Sequence, residues 1–141
     1  MENGKMKILI TESEDFSQDA VNELEKYYDV TKRNFNFEKE LTEIIPDFDV
    51  LFIRLRFKLT KEILEKAPQL KYILTATTGL DHIDTDYFES IGGKIISLRG
   101  ETEFLGSIPS TAEHTWALLM ALLKKIPSAF DDIKKGNWNR D

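Results

Sequence analysis

Residues 50–53 (VLFI) are apolar at four consecutive positions. Successive side chains of a strand point to opposite faces, so a strand with no polar position must be covered on both. That is the condition of a strand inside a parallel sheet. Four other short runs have the length and composition of strands: MKILI at 6–10, YDVT at 28–31, KYILTAT at 71–77 and KIIS at 94–97. Helix-like segments separate them. Ser17 stands as a cap ahead of Ala20, Val21, Leu24 and Tyr27, which recur at helical spacing. Residues 37–45 place Phe37, Leu41, Ile44 and Ile45 on one side and meet Pro46. Thr60 precedes Ile63, Leu64 and Ala67, and Pro68 ends that segment. Residues 85–91 run into Gly92 and Gly93, suited to a left-handed C-cap.

Strands alternating with helices in this way predict an α/β domain with right-handed crossovers. The expected architecture is flavodoxin-like: a five-stranded parallel sheet in the order 2-1-3-4-5, with helices on both faces. Residues 99–109 read as the longest irregular stretch, with Phe104 and Leu105 exposed. The segment after them differs in kind. STAE at 110–113 has the pattern of a capping box, and residues 116–123 (WALLMALL) then contain no polar position. A helix apolar all round is expected to be buried all round. It is either a central core helix or a helix held between two bodies, a second domain or a second subunit. Pro127 is expected to break it, and 128–135 to form a further amphipathic helix. The division drawn from sequence is 1–109 for the sheet domain and 110–141 for the linking helices.

The 141 residues suffice for a real core. A net charge of −6 argues against a general nucleic-acid or anionic-membrane binder. Zero Cys removes disulfides, thiolate catalysis and Cys-zinc sites, and two His leave little for a His-rich metal site. The amino terminus has no secretory pattern, and the longest apolar run is too short to span a bilayer. A cytoplasmic protein is the expectation.

The candidate site is the break after the fourth strand. Residues 73–84 (ILTATTGLDHID) pass from an apolar run through Thr77, Thr78, Gly79 and Leu80 to a polar lead-in for a helix. Amides left unpaired at the carboxyl end of a strand suit an anion; the alternative is an ordinary βα turn. Asp81 and Asp84 are expected to cap and brace the next helix. Arg54 and Arg56, with Leu55 between them, follow the third strand at the same edge and either neutralise an anion or stand solvated. His114 lies on a helix's first turn beside Glu113 and is read as a packing or hinge residue; His82 is expected to be exposed. Trp116 is an interface or core residue, and Lys124 and Lys125 suit a helix end.

Several of these pieces together resemble one family. LKYI at 70–73, GLDHID at 79–84, GGKII at 92–96, AEH at 112–114 and GNWNR at 136–140 occur in the order and near the spacing of the D-isomer-specific 2-hydroxyacid dehydrogenases, the phosphoglycerate dehydrogenase-like group. IRLR at 53–56 followed by KLT at 58–60 is similar to the family's strand-loop segment. The resemblance implies the N-terminal substrate-binding domain of an NAD- or NADP-dependent oxidoreductase acting on a small 2-hydroxy or 2-keto acid. It makes Arg54, Leu55, Thr77, Thr78, Gly79 and Leu80 substrate-binding residues. Glu113, His114 and Trp116 are read as hinge or interface residues, and the 110–126 helix, by its unbroken apolar run, as a dimerisation element. The chain departs from the family's pattern at 99–109, which is longer than usual, and at Ser97 and Leu98, where an Asn is usual. The seven Gly lie at 4, 79, 92, 93, 100, 106 and 136, so no GxG exists. The family's Gly-rich nucleotide loop and its catalytic Arg, Glu and His are expected in a nucleotide-binding domain beyond these residues. The chain alone is expected to bind no cofactor or metal and to be inactive. Two alternatives stand beside this. A receiver-like signalling domain shares the fold, with Glu12, Glu14 and Asp15 as its acids, but lacks an acceptor Asp at the end of the third strand. A non-catalytic interaction module would use the apolar helix as its surface.

Overall fold

The computed structural model describes residues 4–138. The chain divides into two compact units, Met1–Gly100 and Glu101–Asp141.

The first unit holds the sheet. Its strands are β1 (Lys7–Ile10), β2 (Asp29–Lys32), β3 (Val50–Phe52), β4 (Tyr72–Thr75) and β5 (Lys94–Ser97). All pairings are parallel, in the order β2-β1-β3-β4-β5. The register lines up Leu9, Leu51, Ile73 and Ile95 across four strands. Leu9, Leu51 and Ile73 are fully buried with Leu41 of α2 (Glu38–Ile44), Ile45 of a 3₁₀ turn (Ile45–Asp47), Ile63 and Leu64 of α3 (Lys61–Leu64), and Phe88 of α4 (Thr85–Ser90). One residue out of phase, Ile8, Ile10 and Val50 are also buried, as is Val21 of α1 (Gln18–Glu25), and the Phe16 ring meets Phe52 edge-on. Burial of successive residues in β1 and β3 shows both faces of those strands covered. On the second face the cover thins toward β5, where Ile96 is 57% exposed.

Local chemistry explains where the helices start and stop. Ser17 Oγ accepts the Ala20 N–H as the cap of α1, and Asp84 accepts the Tyr87 N–H as the cap of α4. Thr60 stands at the start of α3 without a side-chain cap bond; its carbonyl accepts from Ile63 and Leu64 instead. Gly92 ends α4 at φ +90, a conformation that favours Gly. Gly93 must lack a Cβ for another reason: one placed there would lie 2.5 Å from the Phe88 ring.

The second unit is helical. Residues 99–109 are not wholly irregular, since α5 (Thr102–Gly106) forms inside them. Next come α6 (Ser110–Leu123) and α7 (Ile126–Lys134). The residues read as a capping box are not one: Pro109 occupies the cap position of α6, and no side chain caps it. The break after α6 falls at Lys125, with φ +52, and Pro127 lies in the first turn of α7, where its missing N–H costs nothing. Of the two alternatives for this helix, the central core helix fails. No residue of α6 is buried, with Trp116 64% and Leu122 75% exposed. Among the described residues no helix is long and apolar enough to cross a membrane. Asn139 and Arg140, the end of the 136–140 motif, lie outside the described residues.

Candidate anion-binding site

In a parallel sheet the turns after β1, β3 and β4 all leave from the same edge. The turn after β4 is held by a chain of hydroxyls. Thr77 Oγ1 donates to the Gly79 carbonyl at 2.8 Å. Its one proton is thereby committed, so Thr75 Oγ1, buried and 3.0 Å away, is the donor to Thr77 Oγ1. The Thr77 carbonyl accepts the Leu98 N–H, and the Leu80 carbonyl accepts the Ile83 N–H. Three carbonyls of the turn, those of Thr77, Gly79 and Leu80, are thus occupied. The N–H groups of Thr77, Thr78, Gly79 and Leu80 have no hydrogen-bond partner among the described residues. Four amides of one turn are thus unengaged among the described residues, with Thr78 and Gly79 exposed at its tip.

The turn after β3 stands beside it. Its last ladder bond runs from Ile53 N–H to the Leu74 carbonyl. Arg54 and Arg56 then donate their backbone N–H groups to one oxygen, Glu12 Oε1, at 2.9 and 3.2 Å. Further on, Leu59 N–H donates to the His82 carbonyl at 2.7 Å and Asp84 N–H to the Leu59 carbonyl at 2.9 Å. That isolated bridge ties the 53–60 turn to the 76–84 turn. The structure therefore brings Arg54, Leu55, Thr77, Thr78, Gly79 and Leu80 to one edge on two mutually bonded turns.

The two arginines differ. Arg56 reaches the Phe35 carbonyl with Nη1 and Glu14 with Nη2, at 3.2 and 4.0 Å. Arg54 has no side-chain partner among the described residues and is exposed, so it is the guanidinium free to meet an anion. Leu55 is exposed, and its N–H is likewise without a partner among the described residues. Sequence reasoning overlooked Glu12 in this setting. The only signal for it was an acid placed two residues after β1.

His82 is half-buried rather than exposed, and its Nε2 is enclosed without a hydrogen-bond partner among the described residues. Burial holds its imidazole below the ordinary value, while the charges of Glu12 and Asp81 pull the other way. Glu113, His114 and Trp116 belong to the other unit, on α6, and each is exposed.

The residues do not fit a dinucleotide. A pyrophosphate needs a Gly-rich turn that lets backbone approach closely at the start of a helix. The turn after β1 instead carries Glu12, Glu14 and Asp15, with Asp19 in the first turn of α1. Among the described residues no three His, Asp or Glu side chains are grouped to hold a metal ion. A receiver domain is disfavoured by the same geometry: β3 ends at Phe52, followed by Ile53 and Arg54, and Glu12 is engaged with the loop amides.

Residues 8–136 match the model of the D-isomer specific 2-hydroxyacid dehydrogenase family, catalytic domain. The chain belongs to this family. A D-3-phosphoglycerate dehydrogenase of Methanocaldococcus jannaschii is 33% identical over 96% of the chain and 24% of the relative. A hydroxypyruvate reductase of Thermotoga maritima is 37% identical over 72% of the chain and 31% of the relative. Among solved structures, the D-lactate dehydrogenase of Aquifex aeolicus complexed with NAD and lactic acid superposes with a TM-score of 0.79 at 28% identity, covering 96% of this chain and 39% of that one. This dehydrogenase-family chain spans about a quarter of the length of the first curated relative it matches, 24%.

Proposed function

We propose that the two turns form the carboxylate-binding half of an NAD(P)-dependent oxidoreductase that moves a hydride between nicotinamide and the C2 of a small 2-hydroxy or 2-keto acid. The observation that carries this is the set of unengaged N–H groups at 77–80, held by the Thr75–Thr77–Gly79 hydroxyl chain, beside the unpaired Arg54. Phosphoglycerate, hydroxypyruvate and lactate, which the relatives' names carry, share a carboxylate next to a C2 bearing oxygen. The amides at 77–80 and at Leu55 would hold that carboxylate, and Arg54 would neutralise it. Anchoring the acid group fixes C2 relative to the turn, which is the positioning that a hydride transfer requires. The nicotinamide supplies the hydride chemistry and is held by residues outside this chain's sheet unit. Zero Cys accords with a cytoplasmic setting.

Amide shifts of the ¹⁵N-labelled chain test the reading. D-lactate should move the Leu55 and 77–80 signals saturably, and lactamide, which lacks the charge, should not. Equal responses to both ligands, or shifts confined to other residues, reject it. NADH fluorescence should show no saturable change with the chain alone.

The second part of the proposal concerns α6, whose Trp116, Leu118, Leu119, Met120, Leu122 and Leu123 are all exposed. A contiguous apolar surface of this kind marks an interaction site. We assign it as the interdomain and homodimer element, with Glu113 and His114 at the hinge. Sedimentation should show a dimer that Leu119→Glu converts to monomer; a monomeric wild-type chain contradicts the assignment.

A further inference from the structure

We propose that Glu12 is a positioning residue for the ligand-binding loop after β3. Its carboxylate takes up the Arg54 and Arg56 amides and so leaves the Leu55 amide and the Arg54 guanidinium to the substrate. The inference rests on the carboxylate-site reading above and assigns a role to a residue outside the two turns.

The sheet itself cannot hold this loop. Thr11 N–H to the Phe52 carbonyl, and Ile53 N–H to the Leu74 carbonyl, are the last ladder bonds on the two sides of β3. Beyond them the amides of 54, 55 and 56 have no strand to face. Glu12, the next residue after Thr11, supplies the missing acceptor. One oxygen receives the N–H groups of alternate residues, 54 and 56. Hydrogen bonds to a charged acceptor are the stronger kind, so a single carboxylate holds a loop that backbone pairing has abandoned. The residue between them, Leu55, keeps its N–H unengaged among the described residues.

The brace is itself braced. Glu12 pairs with Asn34 in an isolated antiparallel bridge. Asn34 Oδ1 accepts the N–H of Ser13 at 2.8 Å, the N–H of Glu14 at 3.2 Å and the Ser13 hydroxyl at 3.2 Å. The far side of the loop is secured by Arg56, whose guanidinium lies on the Phe35 carbonyl and near Glu14. The 53–60 turn is therefore pinned to the β1 turn at one end and to the β4 turn, through Leu59 and His82, at the other. A rigid shell of this sort lets a binding group meet its ligand without first being ordered.

The sign of the effect separates positioning from bare electrostatics. Glu12 carries the same charge as the proposed ligand. If it acted only through its field, Glu12→Ala and Glu12→Gln would both tighten binding of an acid. A positioning role predicts a split: Glu12→Ala loses the acceptor and weakens binding, whereas Glu12→Gln keeps a carbonyl oxygen for the two amides and preserves it.

Two measurements on the full chain decide. Amide hydrogen exchange at Arg54 and Arg56 should be slowed in the wild type and in Glu12→Gln, and should quicken about tenfold or more in Glu12→Ala. D-lactate titration by amide shifts should then show Glu12→Ala weakened about tenfold and Glu12→Gln within about twofold of wild type. The shifts at 77–80 should persist at higher ligand concentration. Unchanged exchange at Arg54 and Arg56 in Glu12→Ala overturns the brace. Equal or tighter D-lactate binding by a folded Glu12→Ala chain overturns its role in binding. If the wild type itself gives no saturable shift, the carboxylate reading falls and takes the substrate role of Glu12 with it, while the exchange result still reports on the brace separately.

Discussion

The sheet unit and the helical unit are equally rich in apolar residues, yet they dispose of them in opposite ways. In Met1–Gly100 the apolar side chains of β1, β3 and β4 line up across the sheet and are covered by helices that present matching faces. In the described part of Glu101–Asp141 no residue is buried, and α6 carries apolar side chains around its circumference. The difference is one of pattern. A period of two in a strand, or one apolar stripe on a helix, lets a chain bury its own surface. An unbroken run such as 116–123 supplies no polar side to turn toward water and leaves its cover to something else.

The sharpest way to break this comparison is a pair of truncations read by urea unfolding at concentrations too low for association. Leu51→Ala removes a fully buried side chain from the middle of the sheet and should destabilise by about 2–5 kcal/mol. Leu122→Ala removes a side chain that touches mainly solvent and should change stability by no more than about 0.5 kcal/mol. Similar losses for both would show that the helical unit has a core of its own. Next in size is Gly93→Ala. The added carbon would lie 2.5 Å from the Phe88 ring, and overpacking of this kind destabilises by about 1–3 kcal/mol, visible as a lower melting temperature. A neutral result would mean that α4 can shift, and that the sheet unit is looser than its packing implies.

Two smaller effects compare opposite ends of the sheet unit. At the carboxyl edge, His82 has a folded value lowered by burial. The unfolded chain therefore takes up its proton first, near the ordinary imidazole value of about 6.5. The stability tied to neutral His82 is complete above that pH and is lost progressively as pH falls through and below it. Urea midpoints measured between neutral and mildly acidic pH should slope accordingly, and His82→Asn should flatten the slope. At the amino edge, Asp49 accepts from Lys71 Nζ at 2.7 Å and from the Lys7 N–H at 3.1 Å. The Lys71 bond first, then that of Lys7, holds its carboxyl below the ordinary range, against partial burial. Its contribution is present above about pH 4 and disappears as pH falls below that. Lys71 is largely exposed, so Asp49→Asn should weaken the fold at neutral pH by no more than about 1 kcal/mol. An Asn variant with the wild type's acid slope would remove Asp49 from the account.

The sheet was legible in the sequence because its signals are local and mutually consistent. Strand runs, Ser17, Pro46 and the Gly92–Gly93 pair each name an element or its end, and parallel order follows from their alternation. The turn after β4 was legible in part. A Gly-containing break after an apolar run marks a strand end, but nothing in the residue order shows that Thr75, Thr77 and Gly79 form a hydroxyl chain. Glu12 was illegible as a brace because its partners, Arg54 and Arg56, lie more than forty residues away and are bound through backbone atoms, which carry no sequence signature. His82 was misjudged for the same reason. One charge acting on its imidazole, Glu12, belongs to the turn after β1, far away in sequence. Around α6 the errors were of another kind. STAE at 110–113 satisfies a capping pattern, but the helix begins after Pro109, whose fixed φ lets it occupy the cap position without a side-chain bond.

The most direct test of the central claim is a crystal structure of the chain grown with D-lactate. The account predicts the carboxylate on the turn after β4, its oxygens within hydrogen-bond distance of amides among Thr77, Thr78, Gly79 and Leu80, with the Arg54 guanidinium turned toward it. A carboxylate bound away from those amides, or a 77–80 turn left empty at saturating ligand, would contradict it.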